Sequence, residues 1–405
     1  MKILYHHRTL SRDGQSVHIE ELVRALRDLG HDVRIVGPAQ HAEADFGSDA
    51  GVIAWLKRAI PGSLYEILEL AYNIPAFWRL AKACRAMKPD VLYERYSLFL
   101  LAGLWLHRLF RVPMLLEVNA PLADERRKFD NLRLKGLADH AEAWVWRGAD
   151  RALPVTGVLA ERLIEKGVPR QAITVVPNGI GPAFLAPCPD AASARRALGI
   201  DAKVVLGFVG FMRPWHGLDR VIDFIADQDR GAGLHLLLIG DGPARGPLQE
   251  QAAARGVADR VTFTGLVPRE RIIDHIAAFD VALQPDVVSY ASPLKLFEYM
   301  ALGRAIIAPD TPNIREVIED RANALLFQPG KDETFRAALA ELCRDEALRR
   351  TLGERARRTI VEDGYTWARN AARVADMAKT LGQARSGRGD GARTGASAAN
   401  NPTVE

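Results

Sequence analysis

Residues 292–318 read SPLKLFEYMALGRAIIAPDTPNIREVI, a helix followed by a strand. Ser292 suits the N-cap, Pro293 the first helical position and Gly303 the exit, and Ala305–Ala308 is an apolar run of strand length. A capping box would put Glu or Gln at the third helical position, where Lys295 stands instead. A cation at the positive end of a helix dipole is unfavourable unless an anion lies between them, so this helix start is expected to hold an anion. Glu298 follows three residues later on the same face, and its two oxygens suit a vicinal diol such as the ribose hydroxyls. The plainer reading is a surface Lys–Glu pair beside a proline-started helix.

The same alternation extends outward in both directions. Upstream lie strands Val204–Val209, Leu234–Ile239, Val261–Phe263 and Val281–Gln284, interleaved with helices Leu218–Ala226, Ala244–Ala254 and Arg269–Ala278; the opening segment itself reads as helix Ser292–Leu302. The first half repeats the scheme. Strand Met1–Tyr5, helix Val17–Leu29 and strand His31–Val36 form a βαβ unit, followed by strands Val91–Tyr93, Pro113–Val118, Ala152–Val155 and Thr174–Val176. The fold expected is therefore α/β, with two doubly wound Rossmann-like domains facing across a cleft. Residues 1–185 make the first domain and 186–364 the second. Residues 365–382 pack back on the first, and 383–405, rich in Gly, Ala, Ser and Arg, form a disordered tail.

A chain of 405 residues supports two such domains, and a net charge of only +4 gives no reason to expect nucleic acid as a partner. Three scattered cysteines (Cys84, Cys188, Cys343) make neither a disulfide framework nor a metal-ligand spacing and fit a reducing cytoplasm. The start MKILYHHRTL lacks a signal-peptide core, and the longest apolar run, Leu98 to Leu106, is about half of what spans a bilayer.

Ligands of open α/β sheets bind beyond the carboxyl ends of the strands. In the second half those ends read VGFMRPWHG (209–217), IGDGPARG (239–246), FTGLVP (263–268), QPDVVSYASPLK (284–295) and APDTPN (308–313). Gly207, Gly210, Gly240, Gly242 and Gly265 permit close backbone approach by a diphosphate, and Arg213, His216 and Lys295 supply positive charge from separate loops.

These stretches, with VVPNGI (175–180) and DGQSVHIEELVRALRDLGHDVRIVGP near the start, resemble the retaining glycosyltransferases of family 4, which have the GT-B fold. The resemblance runs in order from Met1 to about Met377. It implies transfer of a sugar from a nucleotide diphosphate sugar to an acceptor hydroxyl with retained configuration. It implies no cofactor beyond that co-substrate and usually no bound metal. The expected catalytic residues are His18, Asn119, Arg213, Lys295 and Glu298. The expected donor-binding residues are Gly14, Gly210, His216, Gly240, Gly242, Leu266, Tyr290, Ser292, Leu294, Lys295 and Glu298. Several positions depart from the family. Its first paired glutamate falls on Tyr290, its diphosphate-holding Arg and Lys on Phe211 and His216, its glycine pair on Asp13 and Gly14, and a frequent His on Asn119.

Two motifs point elsewhere and are set aside. Asp227-Gln228-Asp229 ends an amphipathic helix instead of following a strand, so it reads as solvated surface, and Arg245 breaks the dinucleotide fingerprint begun by Gly240 and Gly242. The aromatic and aliphatic stretch Trp55–Trp78, with Lys57, Arg58 and Arg79, and the basic run ERRKFDNLRLK (125–135) either dock on an anionic membrane presenting a lipid-linked acceptor or simply cover the sheet. The expected partners are then a nucleotide sugar, a carbohydrate or lipid-linked acceptor and the inner membrane face, in polysaccharide or glycolipid biosynthesis. The rival readings are a non-catalytic partner of another transferase, motivated by Phe211 and Tyr290, and an epimerase or hydrolase on the same fold.

Overall fold

A computed structural model describes residues 1–9, 14–38 and 60–395, with side chains described as far as residue 384. Asp13 and residues 55–59, on which parts of the sequence reading fall, lie outside the described residues.

Strands β1 (Lys2–His6), β2 (Asp32–Val36), β3 (Val91–Arg95), β4 (Met114–Val118) and β5 (Arg151–Pro154) form one parallel sheet in the order β2-β1-β3-β4-β5. Strands β6 (Val204–Val209), β7 (Leu234–Ile239), β8 (Val261–Gly265), β9 (Val281–Leu283), β10 (Ala305–Pro309) and β11 (Leu325–Phe327) form a second, in the order β11-β10-β9-β6-β7-β8. Parallel neighbours need crossover connections, and the helices between strands supply them. The chain reverses its direction of travel between β1 and β3 and between β6 and β9. In such sheets the crevice at the reversal takes the ligand. The helix Leu294–Ala301 follows β9, so Lys295 and Glu298 lie at the second sheet's reversal point.

Three local expectations change. Thr174–Val176 is not a strand. Thr174 and Val176 donate to Ala152 and Pro154, but Pro154 has no N–H to return a bond, so the ladder stays one-sided. The short strand β11 was not anticipated at all. The last helix, Trp367–Gly395, runs past residue 383, where the sequence predicts the start of a disordered tail, and no proline interrupts residues 383–395 to break the backbone ladder; residues 396–405 lie outside the described residues. Near its start, Trp367, Ala371, Val374 and Ala378 pack with Ile3, Tyr5, Ile19 and Leu22 in the first domain's core.

Candidate active site

The helix Leu294–Ala301 begins one residue later than a Ser292 cap would place it. Its N-cap is Pro293, and no side chain caps its first turn. Ser292 is engaged elsewhere. Its Oγ accepts the Asn178 N–H at 3.3 Å and its carbonyl accepts Asn178 Nδ2 at 2.5 Å, which ties the inter-domain connection to the helix start. The free amides of the first turn therefore remain available to an anion.

Lys295 is half-buried as a residue, and its Nζ lies 3.8 Å from the centroid of the Phe208 ring. Burial pushes its pKa down to about 7, with the nearby Glu298 carboxylate opposing that shift. A Cβ on Gly210 would meet this ammonium at 3.4 Å, an ordinary contact, so it is the backbone φ of +132° at the end of β6 that calls for glycine beside the cation. The other strand-end glycines serve a different purpose. A Cβ on Gly240 would fall 2.2 Å from the Gly210 carbonyl oxygen, one on Gly242 2.3 Å from that of Met212, and one on Gly207 inside the Phe279 ring. Gly240 and Gly242 also have φ of +122° and +152°. They let neighbouring backbone segments cross, so of the five glycines only Gly210 borders the cation itself.

His216 is not the cation that the sequence invites. Burial, then the charges of Lys295 and Arg213, lower its pKa to about 3. Its Nδ1 accepts the Arg213 N–H at 3.2 Å, which leaves Nε2 as the protonated nitrogen of a neutral ring. The ring lies against Phe208, which it shares with Lys295. Arg213 is held between the rings of Phe211 (5.0 Å) and Trp215 (4.9 Å). Phe211, at a position where the resemblance calls for a cation, thus helps to orient one. Leu266 stands exposed just beyond β8.

Glu298 is 8% exposed, and burial raises its pKa against the opposing charges of Arg269 and Lys295. Arg269 Nη1 lies 3.6 Å from Glu298, while its Nη2 donates to Glu21 of the first domain at 3.1 Å. Tyr290 also crosses the cleft. Its hydroxyl donates to Glu125, its carbonyl accepts the Thr156 hydroxyl at 2.9 Å, and its ring packs in the first domain's core. Glu125 and Phe129 are four residues apart on the helix Leu122–Phe129, and Phe129 stacks on Trp215 with ring centroids 5.5 Å apart. One face of this helix therefore meets Tyr290 and the Arg213–His216 loop of the second domain. Burial raises the pKa of Glu125, opposed by the Tyr290 hydrogen bond and the Arg213 charge. Leu294 reaches the first domain too, with Cδ1 3.4 Å from where a Cβ on Gly14 would stand.

His18 and Asn119 come together on a residue that the sequence reading passed over. Glu117, buried on β4, takes His18 Nε2 at 3.0 Å, Asn119 Nδ2 at 2.5 Å, the Tyr93 hydroxyl at 2.7 Å and a short ion pair from Arg95. Burial alone would raise its pKa, but His18, Arg95 and these hydrogen bonds hold it well below the usual carboxylate range. His18 is 5% exposed and rests edge-on against Trp367 at 4.6 Å, so it joins the first sheet to the last helix. The signal was present in VLYER and MLLEV, where charged residues interrupt strands that are otherwise wholly apolar and buried. Among the described residues, no three His, Cys, Asp or Glu side chains cluster in a way that could hold a metal ion.

Residues 13–179 match the model of the glycosyl transferase 4-like domain, and residues 190–359 that of glycosyl transferases group 1. The chain is 31% identical over 234 residues to D-inositol 3-phosphate glycosyltransferase of Nocardia farcinica, across 55% of this chain and 51% of that protein, so it spans about half of that relative's length. It is 25% identical to GDP-mannose-dependent alpha-mannosyltransferase of Mycobacterium tuberculosis, across 79% of this chain and 82% of the other. The fold matches that of Anabaena HepE solved with UDP at a TM-score of 0.73 and 18% identity, over 94% of this chain and all of that one.

Proposed function

The chain belongs to the glycosyltransferases of GT-B fold, its first half 4-like and its second half group 1, and from that premise we propose that it transfers a sugar from a nucleotide diphosphate sugar to an acceptor hydroxyl, with retained configuration and without a bound metal. The observation that carries this is the uncapped helix start at 294, with Lys295 dehydrated over Phe208 and beside Gly210. A dehydrated ammonium beside free amides costs energy in the empty protein and regains it when a diphosphate arrives. Glu298, one turn along, takes the ribose hydroxyls, and Leu266 offers apolar surface to the base.

The sugar-binding corner lacks the family's first glutamate, but it does not lack a carboxylate. Glu125 arrives from the opposite domain at the Tyr290 hydroxyl and supplies one. As the glycosidic bond breaks, the leaving diphosphate gains negative charge, which the Lys295 ammonium and the helix amides are already oriented to meet. Retention places the acceptor hydroxyl on the face that the leaving oxygen vacates, where that oxygen takes its proton. The acceptor is a carbohydrate or glycolipid hydroxyl, and the relatives' names make UDP-sugars and GDP-mannose the first probes. A thermal-shift panel of nucleotide sugars tests the donor, since a ligand at a hundred times its Kd stabilises by about 2.7 kcal/mol. Proton NMR of the anomeric centre in the product tests retention. A panel in which no nucleotide sugar raises the melting temperature overturns the reading.

A further inference from the structure

The outer face of the first domain reverses the usual pattern of a surface helix. On helix Gly62–Ala71 the inward side carries carboxylates and the outward side carries aliphatics. Glu66 is buried, accepting the backbone N–H groups of Arg133 (2.8 Å) and Leu134 (2.7 Å), and Glu69 pairs with Arg8 and Arg126. Leu64, Ile67 and Leu68 point outward and are exposed. Tyr72, itself helical in conformation, leads directly into helix Asn73–Met87, so the stripe continues through Ile74 (59% exposed) and Trp78 (63% exposed). Beyond Trp78 the same side becomes basic, with Arg79, Lys82, Arg85 and Lys88 exposed. The neighbouring helix Ala102–Phe110 extends the basic end. It packs on the second of these helices through Phe77 against Trp105 and Arg85 over Phe110, and it adds exposed Arg108, Leu109 and Arg111. Residues 60–88 and 101–112 contain no acidic residue other than Glu66 and Glu69, both turned inward.

We propose that this face lies on an anionic lipid bilayer, with the Leu64–Trp78 stripe entering the headgroup boundary and the Arg79–Lys88 end lying over lipid phosphates. An apolar stripe that grades into cations across a single tryptophan matches the layering of a membrane interface, and Trp prefers that level. A second copy of the chain is a poorer occupant, because a contact between two such faces would bury the basic end with no outward carboxylate on either face to pair with it. Among the described residues no helix is long and apolar enough to cross a membrane, which is consistent with a helix that lies on the surface. Within the run at 125–135, Arg126 is paired with Glu69 and Arg127 with Asp124 and Asp139, so those two charges are satisfied within the protein, whereas Lys128, Arg133 and Lys135 are exposed. Residues 39–59 lie outside the described residues and form no part of the proposed face.

The test uses the full chain with vesicles of phosphatidylcholine alone and of phosphatidylcholine mixed with phosphatidylglycerol, read by flotation. Binding is expected to be at least about tenfold stronger to the anionic vesicles, since each basic residue near such a surface contributes about 1 kcal/mol. Lys82→Glu/Arg85→Glu and Ile67→Ser/Trp78→Ser should each reduce it at least about tenfold. Brominated lipid should quench tryptophan fluorescence in the unaltered protein and much less in Trp78→Phe, a readout that does not depend on a disruptive variant folding. Equal binding to both kinds of vesicle, no binding to either, or quenching unchanged in Trp78→Phe overturns the proposal. So does a dimer, seen by light scattering, that Ile67→Ser/Trp78→Ser dissolves while anionic vesicles fail to bind. No donor is needed in any arm, so this result stands apart from the transferase reading.

Discussion

Donor affinity should fall steeply as pH rises through neutrality, and the group responsible should be Lys295. The sequence places a titrating charge at His216, but that ring is held neutral, with a pKa near 3, whereas Lys295 is brought down to about 7. The sign follows from linkage. A diphosphate favours the ammonium, so binding raises the lysine pKa, and affinity is complete below the free-state value of about 7. Above it, the free protein must first take up a proton. If the bound pKa returns toward the ordinary lysine value of about 10.4, then by pH 9 only about 1% of the free protein carries the charge, a loss of about a hundredfold or about 2.7 kcal/mol. Glu298 would act in the opposite direction, because its ionisation on raising the pH favours the ribose contact. A net fall is therefore specific to the cation.

The assay is calorimetric titration of a nucleotide diphosphate sugar, whose diphosphate diester keeps a fixed charge, from pH 6 to 9. Lys295→Met should bind weakly and show no fall in affinity as pH rises. The free nucleoside, which lacks the diphosphate, should bind the unaltered protein with no such slope. A flat profile for the unaltered protein, or the same slope in Lys295→Met, refutes the argument.

Glu298→Ala should weaken donor binding by roughly 2–4 kcal/mol, because two hydroxyls lose a charged acceptor, and calorimetry showing unchanged affinity would remove the ribose assignment. Tyr290→Phe takes a hydrogen-bond donor away from the buried Glu125 and should cost about 1–3 kcal/mol in denaturant unfolding; an unchanged midpoint would mean that the cross-cleft bond contributes nothing. Turnover should persist in excess EDTA, and loss of turnover restored by a divalent cation would contradict the metal-free reading.

What the sequence made legible was what local chemistry dictates. Alternating apolar strands and amphipathic helices gave ten of the strands, all but β11, because each run is bounded by Gly, Pro or a change of period. The helix start at 294 was legible because Lys295 breaks a capping rule within four residues. Three-dimensional partners were not legible. Nothing near Tyr290 in the chain announces Glu125, 165 residues away, and nothing near Phe211 announces that its ring would orient Arg213. Glycines misled in a particular way. Gly207, Gly240 and Gly242 look like places for a ligand to approach, but their missing side chains are filled by Phe279 and by neighbouring backbone. Lack of a Cβ says that something comes close, without saying what.

The departures at Phe211, His216 and Tyr290 make sense together once the cleft is considered as one unit. Each puts a ring where the resemblance calls for a charged group, and that ring engages another ring, a guanidinium or the opposite domain. Tyr290 reaches Glu125, Trp215 beside His216 stacks on Phe129, and Phe211 positions Arg213, whose charge is felt by Glu125. Charge is therefore not lost from the site but redistributed across the cleft, with a carboxylate contributed by the first domain and a cation braced by aromatics in the second. The contact between Arg269 and Glu298 belongs to the same logic. A buried carboxylate such as Glu298 is costly to keep ionised, and Arg269 lowers that cost from 3.6 Å, too far to satisfy the oxygens fully. Because the same guanidinium is anchored to Glu21, part of the charge that opposes the burial of Glu298 comes from a group bridging the two domains, and the rest from Lys295 on its own helix. Under the proposed ribose role of Glu298, parting the two domains would therefore loosen one of the two cations beside that carboxylate while leaving the other in place.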